Sequence, residues 1–165
     1  MIILGIDPGL AIVGWGVIEY KNAKFRTIAY GSLRTPAGMR TEARLKAIWD
    51  GMNELIEKYH PEAVAVEELF FTNNITTGIR VAEARGVILL AAERAGIAVR
   101  EYTPMQVKQA ITGYGKAEKR QVIAMVTMFL GLPKPPTPDD TADALAIAVC
   151  DAHSGASRLA QYYNK

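Results

Sequence analysis

From Ile2 to Ile6 every position but Gly5 is apolar, and the run stops on Asp7 before a Pro8-Gly9 turn. An apolar run of that length bounded by turn residues predicts a strand buried on both faces. Two further strands are predicted over 12–20 and 24–33, joined at Lys21-Asn22. Such short connections make an antiparallel meander. Gly14 and Gly16 within the second strand point to close backbone approach or a bulge. Then the period changes. Leu45, Ile48, Trp49, Met52, Leu55, Ile56 and Tyr59 recur at three- and four-residue steps, which predicts a helix over 41–59 with an apolar stripe. Thr41 is its expected N-cap. Pro61 stops it, and His60 reads as a C-terminal cap rather than a ligand. A fourth strand, 63–66, again ends on acids, Glu67-Glu68. A helix over 76–95 carries Val81, Ala84, Ile88 and Ala91 on one face and is apolar well beyond it. It is therefore buried on more than one side, sandwiched in the core or shared with a second subunit, with Gly86 allowing close helix approach. A fifth strand follows at 97–102, then a short helix from Pro104 and a helix over 118–130. The latter should bury Val122, Ile123, Val126 and Phe129. A Pro-rich connector follows, and a last helix runs from Asp139 or Asp140 to about His153. The order βββαβαβααα predicts an α/β fold with a five-stranded mixed sheet, three strands antiparallel and two parallel, flanked by helices. One domain over 1–154 and a short, loosely held tail over 155–165 are expected.

Composition narrows the classes without choosing among them. At 165 residues with half of them apolar, the chain suits one soluble globular domain. The single cysteine, Cys150, excludes an internal disulfide and a Cys-rich zinc site, and its apolar surroundings make it a small core residue. No basic leader precedes the first strand, and no apolar run has membrane length, so a cytoplasmic protein with no membrane partner is expected. Net charge is only +2, but its distribution is uneven. Seven basic residues lie between Lys21 and Lys46 against Glu42 alone, and five between Pro104 and Lys134 against Glu118 alone. That segregation fits a polyanion surface interrupted by an acidic pocket.

The acids supply the candidate chemistry. Asp7 and Glu67 end two buried strands, where acids are poor fits. Asp7 could simply cap its turn. Asp140 and Asp143 are three apart in the first turn of a helix, where capping and dipole pairing are their ordinary roles; Asp139 is the better cap of its pair. If the two strand ends lie side by side and the helix starts against them, four carboxylates converge. A like-charged pair at ~4 Å costs roughly 4 kcal/mol at an effective dielectric near 20. Protonation or divalent cations relieve that cost, and an all-oxygen set suits Mg²⁺. Taken together the four favour a metal site over four unrelated structural roles. Two ions ~3.5–4 Å apart would suit a phosphodiester displacement.

Gly5-Ile6-Asp7-Pro8-Gly9, Val66-Glu67-Glu68 with Phe70, Ala84-Arg85-Gly86, Gln106-Val107-Lys108-Gln109, Ala117-Glu118-Lys119 and Asp140-Thr141-Ala142-Asp143-Ala144-Leu145-Ala146 occur in order from residue 2 to about 150. The ordered set resembles RuvC-type Holliday-junction resolvases of the ribonuclease H-like superfamily. The resemblance implies a homodimer that binds a four-way DNA junction and makes paired symmetric nicks in recombination and repair. By position, Asp7, Glu67, Asp140 and Asp143 match the family's catalytic metal ligands, with two Mg²⁺ implied and Mn²⁺ as a substitute. Some members carry His where Asp140 stands. Lys108 and Lys119 match lysines at the active-site rim and DNA path, and Phe70 matches the aromatic that stacks on an unpaired base. Lys116 is taken as a further DNA contact; Glu68 and Phe71 receive no role. A RuvA/RuvB-type branch-migration complex is the implied partner. Three alternatives stay open: a module that binds junctions without cutting, a ribonuclease H-like hydrolase with another nucleic-acid substrate, and an ATPase of the actin and sugar-kinase type. The last needs a longer chain and a second phosphate loop, absent here.

Overall fold

A computed structural model describes residues 1–69 and 75–163. Strands β1 (Ile2–Asp7), β2 (Ile12–Lys21), β3 (Lys24–Arg34), β4 (Ala63–Glu67) and β5 (Ala98–Tyr102) form one sheet in the order β3-β2-β1-β4-β5. The meander is antiparallel, with Asp7 opposite Gly14. β4 joins β1 in parallel, Ile6 opposite Val66, and β5 joins β4 in parallel, Glu67 opposite Tyr102. Asp7 and Glu67 therefore finish at the same end of adjacent central strands, as the sequence required for a shared site.

Five helices cover the sheet: α1 (Thr41–Tyr59), α2 (Ile75–Arg94), α3 (Pro104–Thr112), α4 (Lys119–Phe129) and α5 (Asp139–Tyr163). Alternation along the strands sorts side chains between two cores. Leu4, Ile6, Val13, Val17, Val64 and Val66 pack with Ile48, Met52 and Leu55 of α1 and Ala84, Ile88 and Ala91 of α2. Ile3, Ile18 and Ala65 face the other way, against α3, α4 and α5. Asp7 and Glu67 follow Ile3 and Ala65 in the same parity, so both belong to the α5 side.

Small residues let α5 lie directly on the strands. A Cβ on Gly14 would run into the backbone carbonyl of Asp140, and one on Gly5 into that of Ala144. A Cβ on Gly16 would stand 2.6 Å from Leu145 Cδ2. Gly14 and Gly16 thus serve close approach, while the irregularity in β2 falls at Val17/Ile18. This contact sets the start of α5 beside the end of β1.

Several local expectations change. The N-cap of α1 is Arg40, with no capping side chain, because Thr41 already lies in the helix. His60 does end α1, in the left-handed region with φ of 47°, its N–H donating to the Ile56 carbonyl. Asp139 is likewise inside α5 rather than its cap, and α5 continues to Tyr163, past the expected end near His153. Phe129 is 37% exposed. Val122 and Val126 form the buried face of α4, and Phe129 turns edge-on to His153. A Cβ on Gly86 would meet nothing within 4 Å, so within one chain it mediates no helix contact. Cys150 is a core residue as expected, and burial pushes its thiol up to about 11.

Candidate active site

Four carboxylates surround the strand ends. Asp7 and Glu67 are carried by adjacent inner strands of the sheet, and Asp140 and Asp143 by the first turn of α5. Acids in that turn face the positive pole of the helix, which favours them there. The Glu67 backbone is held as well: Arg85 of α2 donates from Nε to the Glu67 carbonyl at 3.3 Å and pairs with Glu101 at 2.7 Å. Glu68 N–H donates to the Tyr102 carbonyl at 2.9 Å.

The electrostatics show how tightly these groups are coupled. The Asp7 carboxyl is pushed up to about 8, first by burial, then by Asp143, Glu67 and Asp140, with Lys119 acting against them. Glu67 is also raised, by burial and then by Asp143, with Lys108 and Lys119 opposing. Asp143 is raised by burial despite Lys119 beside it. Lys119 Nζ lies 2.9 Å from Asp143 Oδ2 and 3.6 Å from Asp139 Oδ2. Partial burial works against that ammonium, yet the hydrogen bond and charge of Asp143 outweigh it and hold Lys119 above its ordinary value.

The four acids share one electrostatic field but are not gathered into one cage. Asp143 and Glu67 line a cleft of about 190 Å³ together with Lys108 and Lys119. Asp140 opens into a neighbouring cleft with Pro8, Gly9, Arg44 and Arg80. Among the described residues no three Asp, Glu, His or Cys side chains stand close enough to hold a metal ion. The Lys119 ammonium lies against Asp143. The donors are nonetheless all hard carboxylate oxygens on a strand end or helix turn, and Asp7 is held far from its ordinary ionisation by burial and then by the neighbouring acids. That chemistry fits a divalent cation of the Mg²⁺ type.

Lys108 and Lys119 are brought to the acids; Lys116 is not. It lines a separate, mainly apolar cleft with Met105, Tyr114 and Cys150. Phe70 lies outside the described residues. The first basic segment disperses. Lys21 and Lys24 flank the β2–β3 turn, at the opposite end of the sheet from Asp7. Arg26, Arg40 and Lys46 pair with Glu19, Glu42 and Asp50, and Arg44 is buried. The anchoring role of Arg85 and the buried Arg44 were not visible beforehand, since neither depends on a local pattern. The Ala-Arg-Gly stretch was the one sign that pointed to Arg85.

The family model for crossover junction endodeoxyribonuclease RuvC matches residues 3–151. The chain belongs to the RuvC family. It is similar to the crossover junction endodeoxyribonuclease RuvC of Clostridioides difficile, 56% identical over 93% of this chain and 91% of that one. Similarity to the Rubrobacter xylanophilus RuvC is 57% over 93% and 86%. Among solved structures, Thermus thermophilus RuvC in complex with Holliday junction substrate superposes with a TM-score of 0.90 at 41% identity, covering 94% of each chain. The yeast mitochondrial Holliday junction resolvase Ydc2, at 17% identity and a TM-score of 0.69, shares the fold. The expected ribonuclease H-like mixed sheet is thus the observed one. RuvC proteins are divalent-metal nucleases, and this chain is a nuclease of that family. No helix among the described residues is long and apolar enough to cross a membrane.

Proposed function

We propose that the protein resolves four-way DNA junctions by paired nicks, with Asp7, Glu67, Asp140 and Asp143 as its catalytic acids. The observation that carries this reading is the Asp7 carboxyl at the end of a buried strand, raised by its burial and then by Asp143, Glu67 and Asp140 together. Such a site is unstable without cations, which is what a metal-dependent hydrolase requires. The four acids would hold Mg²⁺, two ions in the finer reading and with Mn²⁺ as a substitute. When bound, such ions lower the pKa of a coordinated water and offset charge on the phosphoryl oxygens.

The remaining work falls to the chain's own groups. Lys108 and Lys119 draw the scissile strand to the cleft they share with Glu67 and Asp143. Lys119 neutralises Asp143 in the protein alone, and a strand phosphate takes over that ammonium on binding. Arg85 fixes the Glu67 backbone, so the acid at the end of β4 keeps its place as the strand settles. Phe70 stacks on an unpaired base, and Lys116 adds a more distant phosphate contact. The product ends, 5′-phosphate and 3′-hydroxyl, are ligatable.

Paired nicks need two sites. Ile79 and Leu90 of α2 are 51% and 52% exposed, and Gly86 between them is open. Spaced by seven and four residues, they share one helix face. A second copy of this chain covers that face in the proposed homodimer. The protein is placed in the cytoplasm with a RuvA/RuvB-type branch-migration complex.

The test is cleavage of a mobile four-way junction against plain duplex and RNA–DNA hybrid, with and without Mg²⁺. Nicks confined to the junction and dependent on Mg²⁺ are expected. Junction binding without cleavage would reduce the protein to a binding module, and preferential hybrid cleavage would reassign its substrate.

A further inference from the structure

The cleft that Asp140 enters is also lined by cations. It measures about 520 Å³ and is lined by Pro8, Gly9, Asp140, Arg44, Thr76 and Arg80 among others. Arg44 is only 7% exposed. Its Nε donates to the Thr35 hydroxyl at 2.8 Å and an Nη to the Thr35 carbonyl at 3.3 Å, both neutral acceptors. Among the described residues no carboxylate forms an ion pair with it. Burying a guanidinium without an anion is costly, and such groups are normally paired. Three of its five N–H donors remain beyond those that Thr35 engages. Arg80, one turn into α2 and exposed, adds a second positive charge to the same cleft, and Thr76 a hydroxyl. A planar fork, a second cation and a hydroxyl facing one cleft suit a phosphate group.

We propose that Arg44 and Arg80, with Thr76, bind a backbone phosphate of the cut strand next to the scissile one, and so are positioning residues for the nick. This rests on the junction-nuclease reading above. The cleft of Glu67 and Asp143 receives the scissile phosphate, and the neighbouring cleft of Asp140 and the arginines takes the next one, fixing how far the strand slides. Arg44 supplies a rigid contact, because Thr35 orients its guanidinium. Thr35 in turn donates to the Leu10 carbonyl in the β1–β2 turn, tying the phosphate contact to the loop that follows Asp7.

The experiment is phosphate-neutralisation mapping. Four-way junctions carrying one uncharged methylphosphonate at successive positions flanking the cut are titrated with the protein in EDTA, where no nick forms. Wild type should lose about tenfold in affinity at one flanking position. In Arg80→Ala, which alters an exposed residue, binding to the unmodified junction should weaken by a similar factor, and the salt slope of log Kd should fall by about one. At the sensitive position the methylphosphonate should then cost this variant less than about twofold. Arg44→Lys, which keeps the charge but loses the fork, should show the same silencing in molecules that a melting curve shows to be folded. If both variants remain as sensitive as wild type at every position, the subsite is wrong while the nuclease reading stands. If wild type neither prefers the junction nor nicks it in Mg²⁺, the underlying reading fails and the subsite with it.

Discussion

Replacing Asp7 by Asn should stabilise the metal-free protein at neutral pH while abolishing cleavage. In the folded chain this carboxyl is displaced from 3.8 to about 8. Between those values the folded state holds a proton on Asp7 that the unfolded chain has released. Stability therefore falls as pH rises across that window and levels off above it. For a single group with these two values the loss is about 4 kcal/mol at pH 7. Water reaching the cleft and relaxation of Glu67 and Asp143 reduce this to ~1–3 kcal/mol. Asparagine has the shape of the protonated acid without its titration, so it removes that penalty. In a chain of this size each kcal/mol moves the melting point by about 2–4 °C. Thermal unfolding in EDTA from pH 4 to 9 should then show Asp7→Asn matching wild type near pH 4 and melting roughly 3–10 °C higher near pH 8. Saturating Mg²⁺ should raise the wild-type melting point at pH 8 and close most of the gap. Junction affinity should persist and nicking disappear. Equal melting points at pH 8, or a gap of the same size at pH 4, would show that Asp7 does not carry the repulsion ascribed to it.

Three further outcomes follow from the packing. Gly14→Ala should cost ~1–3 kcal/mol and remove cleavage, because the new methyl displaces Asp140 and the start of α5; a melting curve with a nicking assay checks both. Leu90→Glu should leave the monomer folded, since the side chain is half exposed, but should shift sedimentation from dimer to monomer and abolish paired nicking. Asp151 is fully buried, accepting from Arg100 at 2.9 Å and from the Tyr102 hydroxyl at 2.7 Å. Asp151→Asn should cost ~2–4 kcal/mol in denaturant unfolding, lowering the midpoint without altering junction affinity in the molecules that remain folded.

Much of the architecture was legible in one dimension because it rests on periodicity. The turn-bounded apolar runs of β1 and β4 and the three-to-four-residue stripe of α1 each report a local geometry that burial enforces. Asp7 and Glu67 stood out for the same reason: a carboxylate closing a buried strand breaks the pattern. Helix starts were less legible. Capping depends on which residue first adopts helical angles, and Arg40 and Pro138 precede the helices that Thr41 and Asp139 open. Phe129 was misplaced because it has the period of the buried face of α4, yet at the end of that helix it meets His153 edge-on and stays 37% exposed. The charge runs misled most, since neighbours in sequence such as Lys24, Arg40 and Arg44 end at a turn, in a surface pair and in the interior.

The sequence alone determined the element order, the four acids and, through its ordered motifs, the family. Tertiary structure decided how those acids relate. Parallel pairing of β1 with β4 brought Asp7 and Glu67 to one end, and the glycines of β1 and β2 let α5 descend far enough to add Asp140 and Asp143. It also divided the acids between two clefts, placed Lys119 against Asp143 and left Arg44 buried with no anion paired to it among the described residues. None of these follows from a residue and its neighbours in sequence, because each depends on distances between segments far apart in the chain, and electrostatic energy is set by distance and burial.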